Sequence, residues 1–86
     1  MNSNLQELID NMNPEALKAD GFDEAVIGLA EQCGRPTVLA YDTDKCVEIL
    51  MSQGMEWEEA LEYFQFNIAG AYVGENTPIF ITKVTD

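Results

Sequence analysis

Ala25-Val26-Ile27-Gly28-Leu29-Ala30, then Glu31-Gln32-Cys33-Gly34-Arg35-Pro36, then Thr37-Val38-Leu39-Ala40-Tyr41, is the stretch whose reading decides the fold. The first run is apolar without helical spacing. The last is β-branched and aromatic, a composition that suits a pleated, half-buried surface. Between them Gly34 and Pro36 mark a turn. Two apolar runs joined in this way predict an antiparallel hairpin. Pro36 fits the start of the second strand, where its missing N–H costs least.

C-terminal to the hairpin the hydrophobic period changes. Asp42-Thr43-Asp44 offers several helix caps in a row. Cys46, Val47, Ile49, Leu50 and Met51 follow with helical spacing and stop at Gly54, a C′ glycine. A second helix is predicted from Glu56. Trp57, Ala60, Leu61, Phe64 and Ile68 recur at steps of three and four residues, and the helix is expected to end near Ala69–Tyr72. Gly74-Glu75-Asn76-Thr77-Pro78 is a loop, and residues 79–84 form a last strand. Some 35 residues then separate the second strand from the third, enough for a crossover that returns to the sheet.

N-terminal to the hairpin, Leu5, Leu8, Ile9 and Met12 make one apolar stripe of a short helix. Ser3 reads as its N-cap and Gln6 as the capping-box partner. Asn13-Pro14 restarts the chain, with Asn13 as cap and Pro14–Lys18 as a further turn or two of helix. The whole is one small acidic domain over residues 1–86, with a helical segment over 1–20 and a sheet-and-helix core over 21–86. The expected class is α+β: a three-stranded sheet with helices on one face, in the order α-β-β-α-α-β.

The chain has 86 residues, 16 carboxylates against four basic side chains, and no histidine, for a formal charge of −12. High charge favours disorder only when hydrophobicity is low, and 47% hydrophobic residues predicts a folded domain. The lack of histidine removes the commonest general base and the commonest metal ligand together. Met1-Asn2-Ser3-Asn4 has no basic residue and no apolar run behind it, and no apolar run is long enough to cross a bilayer. A cytoplasmic protein without a membrane segment is expected. Cys33 and Cys46 then read as reduced thiols, and two cysteines cannot complete a zinc site alone.

Two blocks carry a resemblance: Gly21-Phe22-Asp23-Glu24-Ala25-Val26-Ile27-Gly28, and the run from Ala60 through Tyr63-Phe64-Gln65-Phe66-Asn67 and Gly70-Ala71-Tyr72-Val73-Gly74 to Phe80. The aromatic and glycine spacing of the second block is unusual. Together they resemble a family of small, uncharacterised, phage-encoded acidic proteins. The resemblance spans most of residues 21–81 and implies a viral or prophage origin. It brings no activity and no catalytic residue. Members of that family often carry Thr or Ser near the start of the long helix, where this chain has Glu56, a weaker cap.

Several residue sets are candidates for function. Asp42, Asp44, Glu48, Glu56, Glu58, Glu59 and Glu62 concentrate carboxylates on the two consecutive helices and their caps. They read as a solvated face with helix-start carboxylates, or as an imitation of nucleic-acid phosphates that occupies a basic protein surface. Asp42-x-Asp44 with Glu48 reads as a hard-cation site or as capping alone. The loop Gly70–Pro78, with Tyr63 and Phe66, reads as a ligand pocket or as a helix end turning into a strand. Asn67, if buried, would tie its helix to that loop. Tyr63, Phe66 and Tyr72 are the candidate oligomer interface. Cys33 lies beside Arg35 but has no histidine to serve it as base.

The expected function is that of a non-enzymatic acidic interaction protein. It would be a phage-encoded inhibitor or nucleic-acid mimic that binds a basic surface of a host or phage protein. The alternatives are a homo-oligomeric assembly protein of a phage and a small-ligand binding module. No cofactor, no catalytic residue, no metal and no direct nucleic-acid contact is expected.

Overall fold

The computed structural model describes residues 3–84. It is an α+β fold. In chain order come α1 (Ser3–Met12), a 3₁₀ turn (Asp23–Ala25), β1 (Val26–Ala30), β2 (Val38–Asp42), α2 (Thr43–Ser52), α3 (Trp57–Phe64), a π turn (Gln65–Ala69) and β3 (Ile79–Ile81). β2 is central. It pairs antiparallel with β1 and parallel with β3, and α2 and α3 supply the crossover that parallel pairing needs.

The hairpin forms as the sequence predicts, shifted by one residue at each strand. Ala25 is drawn into the 3₁₀ turn, where its N–H donates to the Phe22 carbonyl at 2.9 Å. Thr37 stays outside β2 because its carbonyl accepts from the Asn13 side chain at 2.8 Å. β3 is three residues long rather than six. Its register ends with Ile81 opposite Asp42, where β2 turns into α2, so residues 82–84 have no strand to pair with.

The N-terminal segment departs most from expectation. Residues 14–18 make a turn and an extended strap, not a helix. Their neighbourhood's backbone donors are taken by distant partners: Leu17 N–H donates to the Asn76 carbonyl and Ala19 N–H to the Tyr41 hydroxyl. A helix would have withdrawn those donors into its own ladder. Ser3 is itself the first helical residue, and the residue before it lies outside the described ones. Gln6 is not a capping partner; it accepts from Lys18 at 2.7 Å and donates to Asp10 at 2.9 Å.

Opposed residues in a sheet share a face. Val26 with Tyr41, Leu29 with Leu39, and Tyr41 with Phe80 therefore lie on one side. That side holds the core, where Leu39, Tyr41, Cys46, Leu50, Ala60 and Phe64 pack with Ile9 and Phe22. Phe80 joins β3 to the rest: its ring lies 5.5 Å from Tyr41 and meets Phe64 edge-on at 5.2 Å. The helices thus cover one face of the sheet. Gly28, Ala30, Val38, Ala40, Ile79 and Ile81 share the other face, which lies outside this core.

Candidate functional site

α3 begins at Trp57 with Glu56 as N-cap, in extended backbone and without a side-chain capping bond. Glu58 and Glu59 fill its first turn, where carboxylates meet the positive end of the helix dipole. Ala60 and Phe64 turn inward and are buried. The 3.6-residue period then leaves Glu59, Glu62 and Tyr63 outward.

The helix ends in an unusual way. After Phe64 the backbone loosens into a π turn over Gln65–Ala69, and Asn67 Nδ2 donates to the Tyr63 carbonyl at 3.2 Å. Asn67 is exposed, so it does not tie the helix to the following loop as a buried amide would. The π turn leaves Phe66 75% exposed. Gly70 closes the turn because a Cβ there would stand 2.8 Å from the Gln65 carbonyl oxygen.

The result is one shallow depression lined by Glu58, Glu59, Glu62, Tyr63, Phe66 and Asn67. Three carboxylates and two exposed aromatic rings meet there, and none of the lining residues is basic. The two sets that the sequence separated, acidic and aromatic, thus converge on one outer surface of α3. π turns inside α-helices recur at functional sites, since they displace side chains from the regular helical lattice.

The rest of the acidic set lies elsewhere: Asp42 and Glu48 have local partners, Asp44 stands in the first turn of α2, and Glu56 precedes α3 without a side-chain capping bond. Asp42 caps α2: its Oδ1 accepts from the Asp44 N–H at 3.0 Å, and its Oδ2 lies 3.4 Å from Lys83 Nζ. Glu48 pairs with Lys45 at 3.6 Å across one turn of α2. Asp42 is therefore a capping carboxylate held by a lysine. Among the described residues no group of three or more Cys, Asp or Glu side chains is placed to hold a metal ion.

Tyr72 does not join Tyr63 and Phe66. It lines a separate cleft of about 230 Å³ with residues of the hairpin turn, including Glu31, Arg35 and Pro36, and with Ile79. The Gly70–Pro78 loop shapes that cleft and a second one of about 280 Å³ beside Leu17, Phe22 and Phe80, which Asn67 also lines. Neither is the pocket with Tyr63 and Phe66 that the sequence suggested.

Cys33 is exposed in the hairpin turn, and Cys46 is fully buried. Burial, with a contribution from the Asp42 charge, pushes the Cys46 thiol up to about 11, so it stays protonated at neutral pH. No described helix is long and apolar enough to cross a membrane. No family model, no curated protein and no solved structure matches this chain.

Proposed function

We propose that this protein is a non-enzymatic binding module whose outer α3 surface engages a basic surface on another protein. The observation that carries this reading is the convergence of Glu58, Glu59 and Glu62 with Tyr63 and Phe66 around one depression that no basic side chain lines. The carboxylates would supply long-range attraction and orientation. The exposed rings would supply apolar contact of the kind that anchors protein interfaces.

The charge density suits a phosphate mimic. Residues 58–62 span about 6 Å of helix axis at about 1.5 Å per residue. Three carboxylates over that length stand about 3 Å apart on average along the axis, the same order as the about 1.7 Å per charge of duplex DNA. A target would be a nucleic-acid-handling protein with a basic groove. A phage origin, which the sequence resemblance implies, fits such a target, since a virus gains from blocking host nucleic-acid enzymes.

The test captures proteins from a host extract on the immobilised wild type and on a Glu58→Lys, Glu59→Lys, Glu62→Lys variant. A basic protein held by the wild type, released by rising NaCl, displaced by double-stranded DNA and absent from the variant supports the reading. Equal retention on both columns overturns it.

A further inference from the structure

The hairpin turn and the loop before β3 face each other across the cleft of about 230 Å³. One buried side chain holds both walls: Asn13 donates to the Thr37 carbonyl at the hairpin and to Asn76 Oδ1 in the loop. The Asn76 carbonyl in turn accepts from the Leu17 N–H. Within the loop, Thr77 Oγ1 accepts from the Val73 N–H at 3.0 Å and donates to the Gly74 carbonyl at 2.6 Å. These bonds pin a bend at Gly74, whose φ of 111° only glycine adopts at little cost. On the opposite wall the Arg35 N–H donates to the Gln32 carbonyl at 3.0 Å and closes the hairpin turn. The cleft is thus shaped by the fold itself, so a ligand need not order its walls.

The charges in this cleft are left apart. Elsewhere Lys45 pairs with Glu48, Lys83 pairs with Asp42, and Lys18 bonds to the Gln6 amide. The Arg35 guanidinium has no side-chain partner among the described residues, although Glu31 and Glu75 line the same cleft. A guanidinium is built to fork onto a carboxylate. With both carboxylates beyond ion-pair distance, its donors stay open toward the cleft. Tyr72, 71% exposed, supplies an apolar wall together with Pro36, Pro78 and Ile79.

We infer that this cleft binds a small zwitterion, a free α-amino acid with an apolar side chain. Its carboxylate meets Arg35, its ammonium meets Glu31 and Glu75, and its side chain lies against Tyr72 and the two prolines. Charge selects this class. An anion without an ammonium group faces both rim carboxylates and a body of formal charge −12. A cation without a carboxylate is opposed by Arg35 here and is drawn instead to the α3 depression, which no basic residue lines. A zwitterion has no net charge and satisfies both signs of the rim. Size agrees, since the cleft is smaller than the roughly 300–1,000 Å³ of sites for drug-sized ligands. A ligand of about a dozen non-hydrogen atoms in such an open cleft is expected to have a dissociation constant of order 1 mM.

The test is a titration of the full isotope-labelled chain with L-phenylalanine at fixed ionic strength, up to about 20 mM so that a millimolar site saturates. Amide shifts are expected to saturate and to concentrate at residues 30–36 and 72–79. Phenylpropionate lacks the ammonium group and phenethylamine lacks the carboxylate, so each should bind the cleft about tenfold or more weakly, the usual loss with one charged hydrogen-bonding partner. Arg35→Gln should weaken phenylalanine binding by a similar factor, and Tyr72→Ala should weaken it severalfold. Both side chains are exposed, and circular dichroism checks that each variant is folded. Glu58→Lys, Glu59→Lys, Glu62→Lys should leave this affinity unchanged, which separates the cleft from the α3 proposal. No saturable shift, or shifts that map outside the cleft, overturns the inference. So does a folded Arg35→Gln protein with wild-type affinity, or equal binding of phenylpropionate or phenethylamine at the cleft. If Arg35→Gln does not fold, the comparison of the three ligands on the wild type decides.

Discussion

Asn13 holds more of this structure together than its place in the sequence announces. Its Nδ2 donates to the Thr37 carbonyl at 2.8 Å and to Asn76 Oδ1 at 2.9 Å, and its Oδ1 accepts from the Glu15 N–H at 3.2 Å. One side chain thereby ties the end of α1 to the hairpin and to the loop before β3, at 8% exposure. Asn13→Ala would strand three partly buried groups. The expected loss is about 2–3 kcal/mol, read as a lower midpoint in urea denaturation, because unsatisfied buried groups cost about 1–3 kcal/mol each and water can reach some of them. An unchanged midpoint would mean that water replaces all three bonds.

A second residue-scale consequence concerns Cys46. Its ordinary value is 9.0 and burial raises it to about 11 in the folded chain. The unfolded chain therefore ionises first. Stability is fully present below pH 9 and falls as pH climbs toward 11, by an amount of order 2 kcal/mol. Tyr41 is also raised from 10.0, mainly by burial, and extends the fall above that pH. Cys46→Ala should flatten the part of the decline between about pH 9 and 10, at some cost in stability at neutral pH. Thermal melts of both proteins across that range check it; parallel curves would show that the thiol is not the titrating group.

At the scale of elements, α3 depends on how it stops. Gly70 has ordinary backbone angles, so its requirement is space: an added methyl would meet the Gln65 carbonyl oxygen at 2.8 Å. Gly70→Ala should cost about 1–3 kcal/mol, the usual range for forced overpacking, or else straighten the π turn and withdraw Phe66. Either outcome shows in melting temperature and in the exposure of Phe66 to a quencher. No change in either would mean the turn yields freely. The elements also show what sequence can carry. The hairpin, α2 with its Asp42 cap and Gly54 terminator, and the inward set Ala60 and Phe64 were legible because local period and turn chemistry determine them. The strap at 14–18 was not, because Asn76 and Tyr41 capture its donors from across the molecule. Nor was the π turn: Trp57, Ala60, Leu61, Phe64 and Ile68 keep a helical period straight through it. The seven proposed carboxylates were visible as a group, but their split was not. Lys83 reaches Asp42 only in the fold, while Glu58, Glu59 and Glu62 meet Tyr63 and Phe66.

At the scale of the whole molecule, charge is the dominant stress on a thin core. A chain of this size buries only about two thirds of its extended surface, so net stability is small and self-repulsion weighs heavily. Sixteen carboxylates face four basic residues. Lys45 and Lys83 form ion pairs, and Lys18 is spent on the neutral Gln6 amide. Lys45–Glu48 is exposed on both sides and contributes at most about 1 kcal/mol, while in Lys83–Asp42 the lysine is exposed and the carboxylate half-buried. The remaining repulsion acts across a compact body and is relieved when the chain expands. Raising NaCl from a few millimolar to about 0.15 M shortens the Debye length to about 8 Å, well below the molecule's 25 Å smallest extent. The melting temperature should therefore rise over that interval. A flat or falling melting temperature would show that the carboxylates already hold bound cations, and the repulsion account would then be wrong.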